Sequence, residues 1–308
     1  MTSTSKIVIY EWRAWSGFLF PAMFPECVRL QARLSDWDDD VESQIPTGAE
    51  VFVFHLDITH SSGIPHNRLA LCRRLENQGI TVLNCTATNI SKEFVHLACR
   101  RLGLNTAEEE PDGKPTDKLI IKTNWNYGGE SEAALEPRDC RLLGIGSVSS
   151  DFTASSYQIV VRSEIHPSIW SRPDLIIERF IENKSDIFYR AYWLRDHLVV
   201  SEVTDPAPIK KMPEGIGRRN WFFRLSSLNR ESAQSVPSAI RGLSNQILRF
   251  LRATRIDFGT LDIVMDDHGK YYFIDLNTTP FWGATREPRM LSFLRDGLCD
   301  PEPLKPLA

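Results

Sequence analysis

Apolar residues in the first third of the chain alternate between short β-branched runs and longer segments with helical spacing. The short runs predict strands at residues 6–10, 50–56 and 80–84. Segments with apolar residues every three or four positions predict helices at 25–34, 65–79 and 91–103. Since strands that alternate with helices form parallel sheets, this part of the chain predicts an α/β domain with helices on both sheet faces.

The pattern changes after an acidic connection at residues 105–117, which carries Pro and Gly. Beyond it, strand-like runs predominate. They predict strands at 118–122, 157–164 and 174–182, a hairpin at 186–203 that turns near Asp196, and a last hairpin at 261–280. Between the two hairpins, residues 238–254 have the spacing of an amphipathic helix. The remainder of 142–171 is Ser-rich and weakly patterned.

Composition adds size, charge and compartment to this picture. A chain of 308 residues with 42% hydrophobic and 25% charged residues is typical of a globular protein with two or three lobes. Its net charge of −4 and the lack of a long apolar run predict no nucleic-acid or membrane partner. The N-terminus lacks the pattern of a signal peptide, and the six cysteines form no CxxC pair, so we expect reduced thiols in a cytoplasmic protein.

The last predicted hairpin places acidic residues within otherwise apolar strands. Asp275 and Asn277 alternate with apolar neighbours and therefore share one strand face, and a turn at residues 266–269 brings Asp262 beside them. Oxygen ligands on one face suit a hard cation such as Mg²⁺. The alternative is a surface hairpin with an acidic outer face, but the apolar neighbours favour burial, where carboxylates need partners.

The stretch GTLDIVMDDHGKYYFIDLNTTP resembles the C-terminal metal-binding motif of the ATP-grasp superfamily. The pattern is most similar to that of D-alanine–D-alanine ligases and ribosomal-protein glutamate ligases. The resemblance implies an α/β fold with α+β lobes, the ATP-grasp fold, preceded by a Rossmann-like domain. It also implies boundaries at 1–90 for the N-terminal domain, 91–186 for the small lobe and 187–308 for the C-terminal lobe. Asp262, Asp275 and Asn277 would then hold two Mg²⁺ ions that bridge the ATP phosphates.

The resemblance extends to residues upstream of the hairpin. Lys92 and Lys122 match the two lysines that contact ATP phosphates in the family. Glu178 would accept a hydrogen bond from the adenine amino group, the backbone near Phe180 and Ile181 would meet the ring edge, and Asp186 would bind the ribose hydroxyls. The loops at 123–131 and 210–220 are the expected lids over the nucleotide.

The chain departs from the ligase pattern at Thr260, where the ligases often have Arg two residues before the first metal-binding acid. Another cation must then neutralise the transferred phosphoryl group, and Arg190 and Arg219 are the candidate catalytic residues. Arg219 belongs to the stretch GRRNW, which resembles a segment of the glutamate ligases.

The implied activity is ADP-forming ligation of a carboxylate to an amine through an acyl phosphate, with small-molecule or peptide substrates. The alternatives are an ATP-grasp kinase that phosphorylates a hydroxyl and a non-catalytic nucleotide-binding protein. A homodimer is a further expectation from the family. Substrate contacts are expected after the first two strands, where Glu11 would hold an amine and Arg13 a carboxylate, with His55, Asp57 and His60 as further candidates. A metal at His55, His60 and His66 is not expected, because they lack ligand spacing.

Overall fold

The structure is a computed structural model, and it describes residues 6–145, 157–209, 218–228, 236–282 and 287–299. Three sheets follow one another along the chain, with four, three and five strands. Within the described ranges, no helix has both the length and the apolar character that crossing a membrane requires.

The first sheet is parallel, as the alternation of strands and helices predicted. Its strands are β1 (Ile7–Glu11), β2 (Val28–Gln31), β3 (Val51–His55) and β4 (Thr81–Leu83), in the order β2-β1-β3-β4. The connections contain the helices α1 (Leu19–Met23), α2 (Asp38–Ser43) and α3 (Arg68–Asn77). The carboxyl ends of β1 and β3 meet at one edge of the sheet, where Glu11 pairs with His55.

The helix predicted at 25–34 is wrong, because this segment contains strand β2 and pairs in parallel with β1. In β2, Val28 and Leu30 are more buried than Arg29 and Gln31, which is the period of two expected for a strand at a sheet edge. A strand of four residues is too short for its period of two to be distinguished from helical spacing, so periodicity alone could not separate a strand from a helix here.

The expectation that all cysteines are reduced thiols is also corrected. Cys72 in α3 and Cys85 after β4 are joined by a disulfide, with their Cα atoms 6.4 Å apart. The 13-residue separation has no motif that marks a pair, and the fold brings α3 against β4. Cys27, Cys99 and Cys140 are free thiols.

The second sheet is antiparallel and has the order β6-β5-β7. Its strands are β5 (Lys118–Thr123), β6 (Gln158–Val161) and β7 (Leu175–Arg179). The flanking helices are α4 (Lys92–Arg101), α5 (Glu130–Ala133), α6 (Pro137–Leu142) and α7 (Pro167–Trp170). Ser91 caps α4, as predicted, because its side chain accepts a hydrogen bond from Phe94 N at 3.1 Å. Although α4 precedes the second sheet, it packs on the third sheet, against β12 and α8.

The third sheet is antiparallel, with the order β10-β9-β8-β11-β12. Its strands are β8 (Ile187–Leu194), β9 (His197–Thr204), β10 (Arg218–Arg224), β11 (Phe258–Met265) and β12 (Tyr271–Asn277). The helices are α8 (Ser238–Thr254) and α9 (Pro288–Cys299). Both predicted hairpins are present, with turns at Arg195–Asp196 and at residues 266–269.

The two faces of the third sheet have different partners. One face carries Trp193, Val200 and Leu261 and forms a core with the apolar side of α8. The other face carries Tyr192 and Phe258, which pack with residues of the first sheet, α1 and α9. This second face also carries a row of polar side chains beyond Tyr192, and that row forms the centre of the candidate site.

Candidate active site

The row of polar side chains crosses all five strands of the third sheet. Directly paired residues of antiparallel strands lie on the same sheet face, so successive pairs define the row. From edge to edge its members are Asn220, Ser201, Arg190, Asp262 and Asp275. Thr260 and Asn277 form the next pair on the same face, with Asn277 opposite Thr260. The hairpin therefore brings Asp262, Asp275 and Asn277 together as predicted.

Asp262 and Asp275 are each bonded to a cation. Arg190 donates to both oxygens of Asp262, from Nε at 2.5 Å and from Nη2 at 2.7 Å. Lys92 Nζ lies 3.1 Å from Asp275 Oδ1 and donates to Trp125 O at 2.9 Å. Burial alone would lower the pKa of both cations, but the facing carboxylates outweigh it and raise the pKa of Arg190 and of Lys92. The two acids therefore coexist through two fixed positive charges.

A second buried charge cluster lies where β5, β7 and α4 meet. Glu178 Oε2 is 2.5 Å from Lys122 Nζ, and Glu178 Oε1 is 3.0 Å from His96 Nε2. His96 Nδ1 in turn lies 2.8 Å from Thr106 Oγ1. Burial would raise the pKa of Glu178, but Lys122 and then His96 lower it to about 2. Glu178 is therefore a carboxylate that holds Lys122 in position, and a phosphate would have to compete for that lysine.

Both clusters open into one cavity between the second and third sheets. Lys92, Lys122, Glu178, Asp262 and Asp275 line its polar side. Its apolar walls are formed by Ile120, Phe180, Ile181, Val264 and Ile274, with Tyr157, Asn183, Pro208 and Ile209 at the rim. The cavity holds about 120 Å³, below the roughly 300 to 1,000 Å³ of common ligand pockets.

Four predicted residues are outside the cavity lining: Arg190 and Asn277, which share the sheet face of Asp262 and Asp275, and Arg219 and Asp186, which do not join them. Arg219 points to the opposite sheet face from its neighbour Asn220, because it pairs with Glu202. Its guanidinium lies 5.9 Å from the Trp221 ring centroid, so it does not join the polar row. Asp186 precedes β8 with φ of 55°, and Asn183 contributes to the cavity lining instead. In the predicted lid at 210–220, residues 210–217 lie outside the described residues.

The other predicted lid, residues 123–131, is hydrogen-bonded to the segments that follow β3 and β12. Asn126 N donates to Thr59 Oγ1 at 2.8 Å, and Tyr127 OH donates to Thr279 O at 2.5 Å. Burial raises the pKa of Tyr127 to about 12. Tyr127 and the next two glycines all have positive φ, which makes a compact turn between β5 and α5.

Charged side chains also lie at the carboxyl end of the first sheet, beside the turn at 123–131. Arg13 Nε lies 3.1 Å from Asp57 Oδ2, and Ser131 Oγ donates to the same oxygen at 3.1 Å. Glu132 Oε1 accepts from Thr59 N at 2.5 Å. Among the described residues, Asp57 Oδ1 and Glu132 Oε2 have no hydrogen-bond partner. Burial raises the pKa of both carboxyl groups.

Glu11 and His55 lie at the same sheet end but are committed to the protein interior. Glu11 accepts two hydrogen bonds from Arg29, at 2.6 and 2.8 Å, and only 1% of its side chain is exposed. His55 is fully buried between the rings of Phe18 and Phe20, and burial lowers its pKa to about 3. Asp57 is equally buried, so Arg13, whose side chain is 43% exposed, is the accessible charged group of this set.

Sequence reasoning missed His96, Arg29 and Tyr127. His96 lies four residues after Lys92 on α4, so helical spacing could have placed both on one face. Arg29 was hidden because its segment was assigned to a helix. Tyr127 gave no signal, since its contact with Thr279 joins residues 152 positions apart.

The hairpin residues fit a magnesium site by their chemistry. Asp262 and Asp275 provide anionic oxygens at the cavity surface, and the Asn277 oxygen, which accepts from Thr279 N at 2.8 Å, lies on the same face. In the described part of the chain, no group of three or more His, Cys, Asp or Glu side chains could hold a metal ion. A magnesium ion would therefore be held by two carboxylates, an amide oxygen and phosphate oxygens of the nucleotide.

No protein-family profile and no curated protein matches the sequence. Solved structures are similar over nearly the whole chain. The Chryseobacterium gregarium RiPP-associated ATP-grasp ligase, in complex with ADP and a leader and core peptide, is 14% identical, with a TM-score of 0.51 over 97% of this chain and 98% of that chain. An L-amino acid ligase from Bacillus licheniformis is 12% identical, with a TM-score of 0.51 over 99% of this chain and 76% of that chain. The chain therefore has the ATP-grasp fold of these ligases, as the resemblance of its last hairpin predicted.

Proposed function

We propose that this protein is an ADP-forming ligase that joins a carboxylate to an amine through an acyl phosphate. The observation that carries the proposal is that Asp262, Asp275, Lys92 and Lys122 line one cavity, with Arg190 bonded to Asp262. Phosphoryl transfer needs little covalent help from a protein, and it needs fixed cations around the transferred group. This residue set provides them.

The proposed roles follow from position and charge. Lys92 and Lys122 bind ATP phosphates, while Glu178 holds Lys122 in place. The adenine ring lies between the apolar walls, near the backbone of Phe180 and Ile181. Arg190 stabilises the transferred phosphoryl group, since it lies in the row beside Asp262. Arg219 has no place in this proposal, because it belongs to the other sheet face.

Magnesium completes the proposed site. When bound by Asp262, Asp275 and Asn277, it would neutralise the phosphate charge and orient the triphosphate. Asp262 would then share its oxygens between Arg190 and the ion. The turn at 123–131, which is bonded to Thr59 and Thr279, is proposed to shield an acyl phosphate from water.

The acceptor substrate is proposed to bind at the edge of the first sheet. Arg13 would bind a carboxylate of the acceptor, and the buried Asp57 would hold its guanidinium in place. Glu11, the predicted amine ligand, is bonded to Arg29 and has no place in this proposal. The C. gregarium ligase was solved with a leader and core peptide. Both free amino acids and short peptides are therefore proposed as substrates.

The test is hydroxylamine trapping. The full-length protein is incubated with ATP, Mg²⁺ and pooled amino acids and dipeptides, with and without hydroxylamine, and both ADP and hydroxamate are measured. We expect ADP release together with hydroxamate. A stable phosphorylated product without hydroxamate would indicate a kinase, and nucleotide binding without any turnover would indicate a non-catalytic protein. Either result would overturn the ligase proposal.

A matched pair of variants assigns the activity to the hairpin. We expect Asp275→Ala to abolish ADP release while far-UV circular dichroism is unchanged, because the side chain is one-third exposed and can be lost without a core defect. Asp267→Ala, in the exposed turn of the same hairpin, should retain full turnover. Normal turnover by Asp275→Ala would remove the metal assignment.

A further inference from the structure

Two exposed aromatic rings from different sheets stack beside the proposed acceptor site. Trp15 follows β1 and Phe281 follows β12, and their ring centroids are 4.8 Å apart with an interplanar angle of 4°. Trp15 is 40% exposed and Phe281 is 43% exposed, although most large hydrophobic residues of the chain are buried. We name this pair the aromatic platform.

The platform is held rigidly by the backbone around it. Leu19 N donates to Pro280 O at 2.8 Å, and Trp282 N donates to Gly17 O at 2.9 Å, so the two segments run side by side. A Cβ at Gly17 would lie 2.9 Å from both rings, which means that this glycine permits their close approach. The buried Phe18 ring contacts Trp15 in a T-shaped arrangement, with the two ring centroids 5.0 Å apart.

The platform adjoins the charged groups of both proposed substrate sites. The Arg13 guanidinium lies 5.9 Å from the Trp15 ring centroid and is bonded to Asp57. On the other side, the Phe18 ring lies 6.5 Å from Tyr127, whose hydroxyl donates to Thr279 O next to Asn277. A ligand whose carboxylate bound Arg13 would therefore place its side chain against the platform.

A single exposed ring is ordinary, but a rigid stacked pair beside a charged pair has the features of a ligand subsite. Ring faces prefer an offset or edge-on aromatic partner over an aliphatic one. From the combination of the exposed Arg13 and the platform, we propose that the acceptor substrate is an amino acid or short peptide with an aromatic side chain. Trp15 and Phe281 are its specificity-determining residues. This inference rests on the proposed ligase function.

The test compares kcat/KM for ADP release across matched acceptors. L-phenylalanine, L-tyrosine and L-tryptophan are compared with L-leucine and L-alanine, and the dipeptides Phe-Ala and Ala-Phe separate free amino acids from peptides. We expect an aromatic preference of about threefold to tenfold over leucine, the range that an aromatic contact adds to simple burial. Trp15→Ala and Phe281→Ala should remove this preference, and Trp15→Phe should retain most of it.

Trp37 provides the control, since it is 59% exposed and its ring lies 4.8 Å from the His66 ring, next to the start of α2. Trp37→Ala should leave the preference unchanged. Equal turnover of aromatic and aliphatic acceptors, or a preference that survives Trp15→Ala, would overturn the inference while the ligase function stands. If no acceptor supports ADP release, the proposed function itself fails. The inference is then tested by calorimetric binding of L-phenylalanine against L-leucine, and equal affinity would overturn it too.

Light scattering tests whether a second copy of the chain, rather than the acceptor, covers the platform. A dimer that Trp15→Ala separates, with unchanged acceptor preference, would assign the platform to a subunit contact and would overturn the substrate assignment. An oligomeric state that is the same in the wild type and in Trp15→Ala supports the substrate assignment.

Discussion

The charged residues of the candidate site form ion pairs whose members come from distant parts of the chain. Glu178 is the central example, because it bonds Lys122 from β5 and His96 from α4 while only 2% of it is exposed. Removing one partner of such a cluster leaves an uncompensated buried charge, which costs more than the pair itself contributes. The pair therefore fixes the position of Lys122 and makes it sensitive to changes at Glu178.

The lowered pKa of Glu178 gives a prediction about stability and pH. The folded-state pKa of about 2 is below the ordinary 4.5, so the unfolded state binds more protons between these values. The stabilisation is therefore complete above about pH 4.5 and is lost as the pH falls towards 2. We expect Glu178→Gln to lower the free energy of unfolding by about 3 to 5 kcal/mol at pH 7. The difference from the wild type should shrink as the pH falls from 5 to 3, as measured by urea denaturation.

Glu182→Gln is the matched control, since Glu182 forms an exposed ion pair with Lys118 close to the same strand. Its free energy of unfolding should stay within about 1 kcal/mol of the wild type at both pH values. A Glu178→Gln difference that does not change between pH 7 and pH 3 would contradict the assigned pKa shift.

At the scale of elements, strand register determines which side chains meet. Asp262 and Asp275 face each other because β11 and β12 pair directly up to that point, and a bulge follows between Asp262 and Ile263. After the bulge, Val264 and Ile274 both line the cavity, so the hairpin provides acidic oxygens and an apolar wall side by side. On β5, alternation places Lys118, Ile120 and Lys122 on one face, but only Ile120 and Lys122 reach the cavity.

This position along β5 gives a prediction about nucleotide binding. We expect Lys122→Met to raise the Kd for a non-hydrolysable ATP analogue by about tenfold or more, because a charged hydrogen bond to phosphate is lost. Lys118→Met, four residues earlier on the same strand face, should leave the Kd within about twofold. Calorimetry measures both affinities, and circular dichroism verifies that each variant is folded. Equal Kd values for the two variants would argue against a phosphate contact by Lys122.

For the whole molecule, Asn84 contributes several of the hydrogen bonds that join the first sheet to the third. Asn84, at the end of β4, has φ of 57° and accepts hydrogen bonds from Asp257 N and Phe258 N, both at 3.0 Å. Its own backbone N–H donates to the Asp257 carboxylate at 2.8 Å. These bonds fix the end of β4 against the start of β11.

We expect Asn84→Ala to lower the free energy of unfolding by about 2 to 4 kcal/mol. Buried backbone groups lose their partner, and alanine disfavours a positive φ. Asn84→Gly should be about 1 kcal/mol less destabilising than Asn84→Ala, since glycine adopts a positive φ without the steric cost that alanine has. Asn77→Ala, at the exposed end of α3, should change it by no more than about 0.5 kcal/mol. Urea denaturation measures all three, and identical values for the two alanine variants would contradict the role of Asn84.

The sequence by itself determined the features that depend on local periodicity and on one motif. The parallel first sheet, helix α8, both hairpins and the shared face of Asp262, Asp275 and Asn277 all follow from residues close together in the chain. The motif also led to the ATP-grasp fold, because its spacing is set by a single hairpin.

Only the tertiary structure decided the partners of these residues. The bonds from Arg190 to Asp262, from Lys92 to Asp275 and from His96 to Glu178 each join positions separated by more than 70 residues. The choice of strand over helix for β2 was likewise made by pairing with β1, and the orientation of Arg219 by the register of β10. The period of a short segment fits either a strand or a helix, so tertiary pairing decides between them. A contact between distant residues leaves no pattern in the local sequence, because the contact stabilises the protein only after the sheets have packed together.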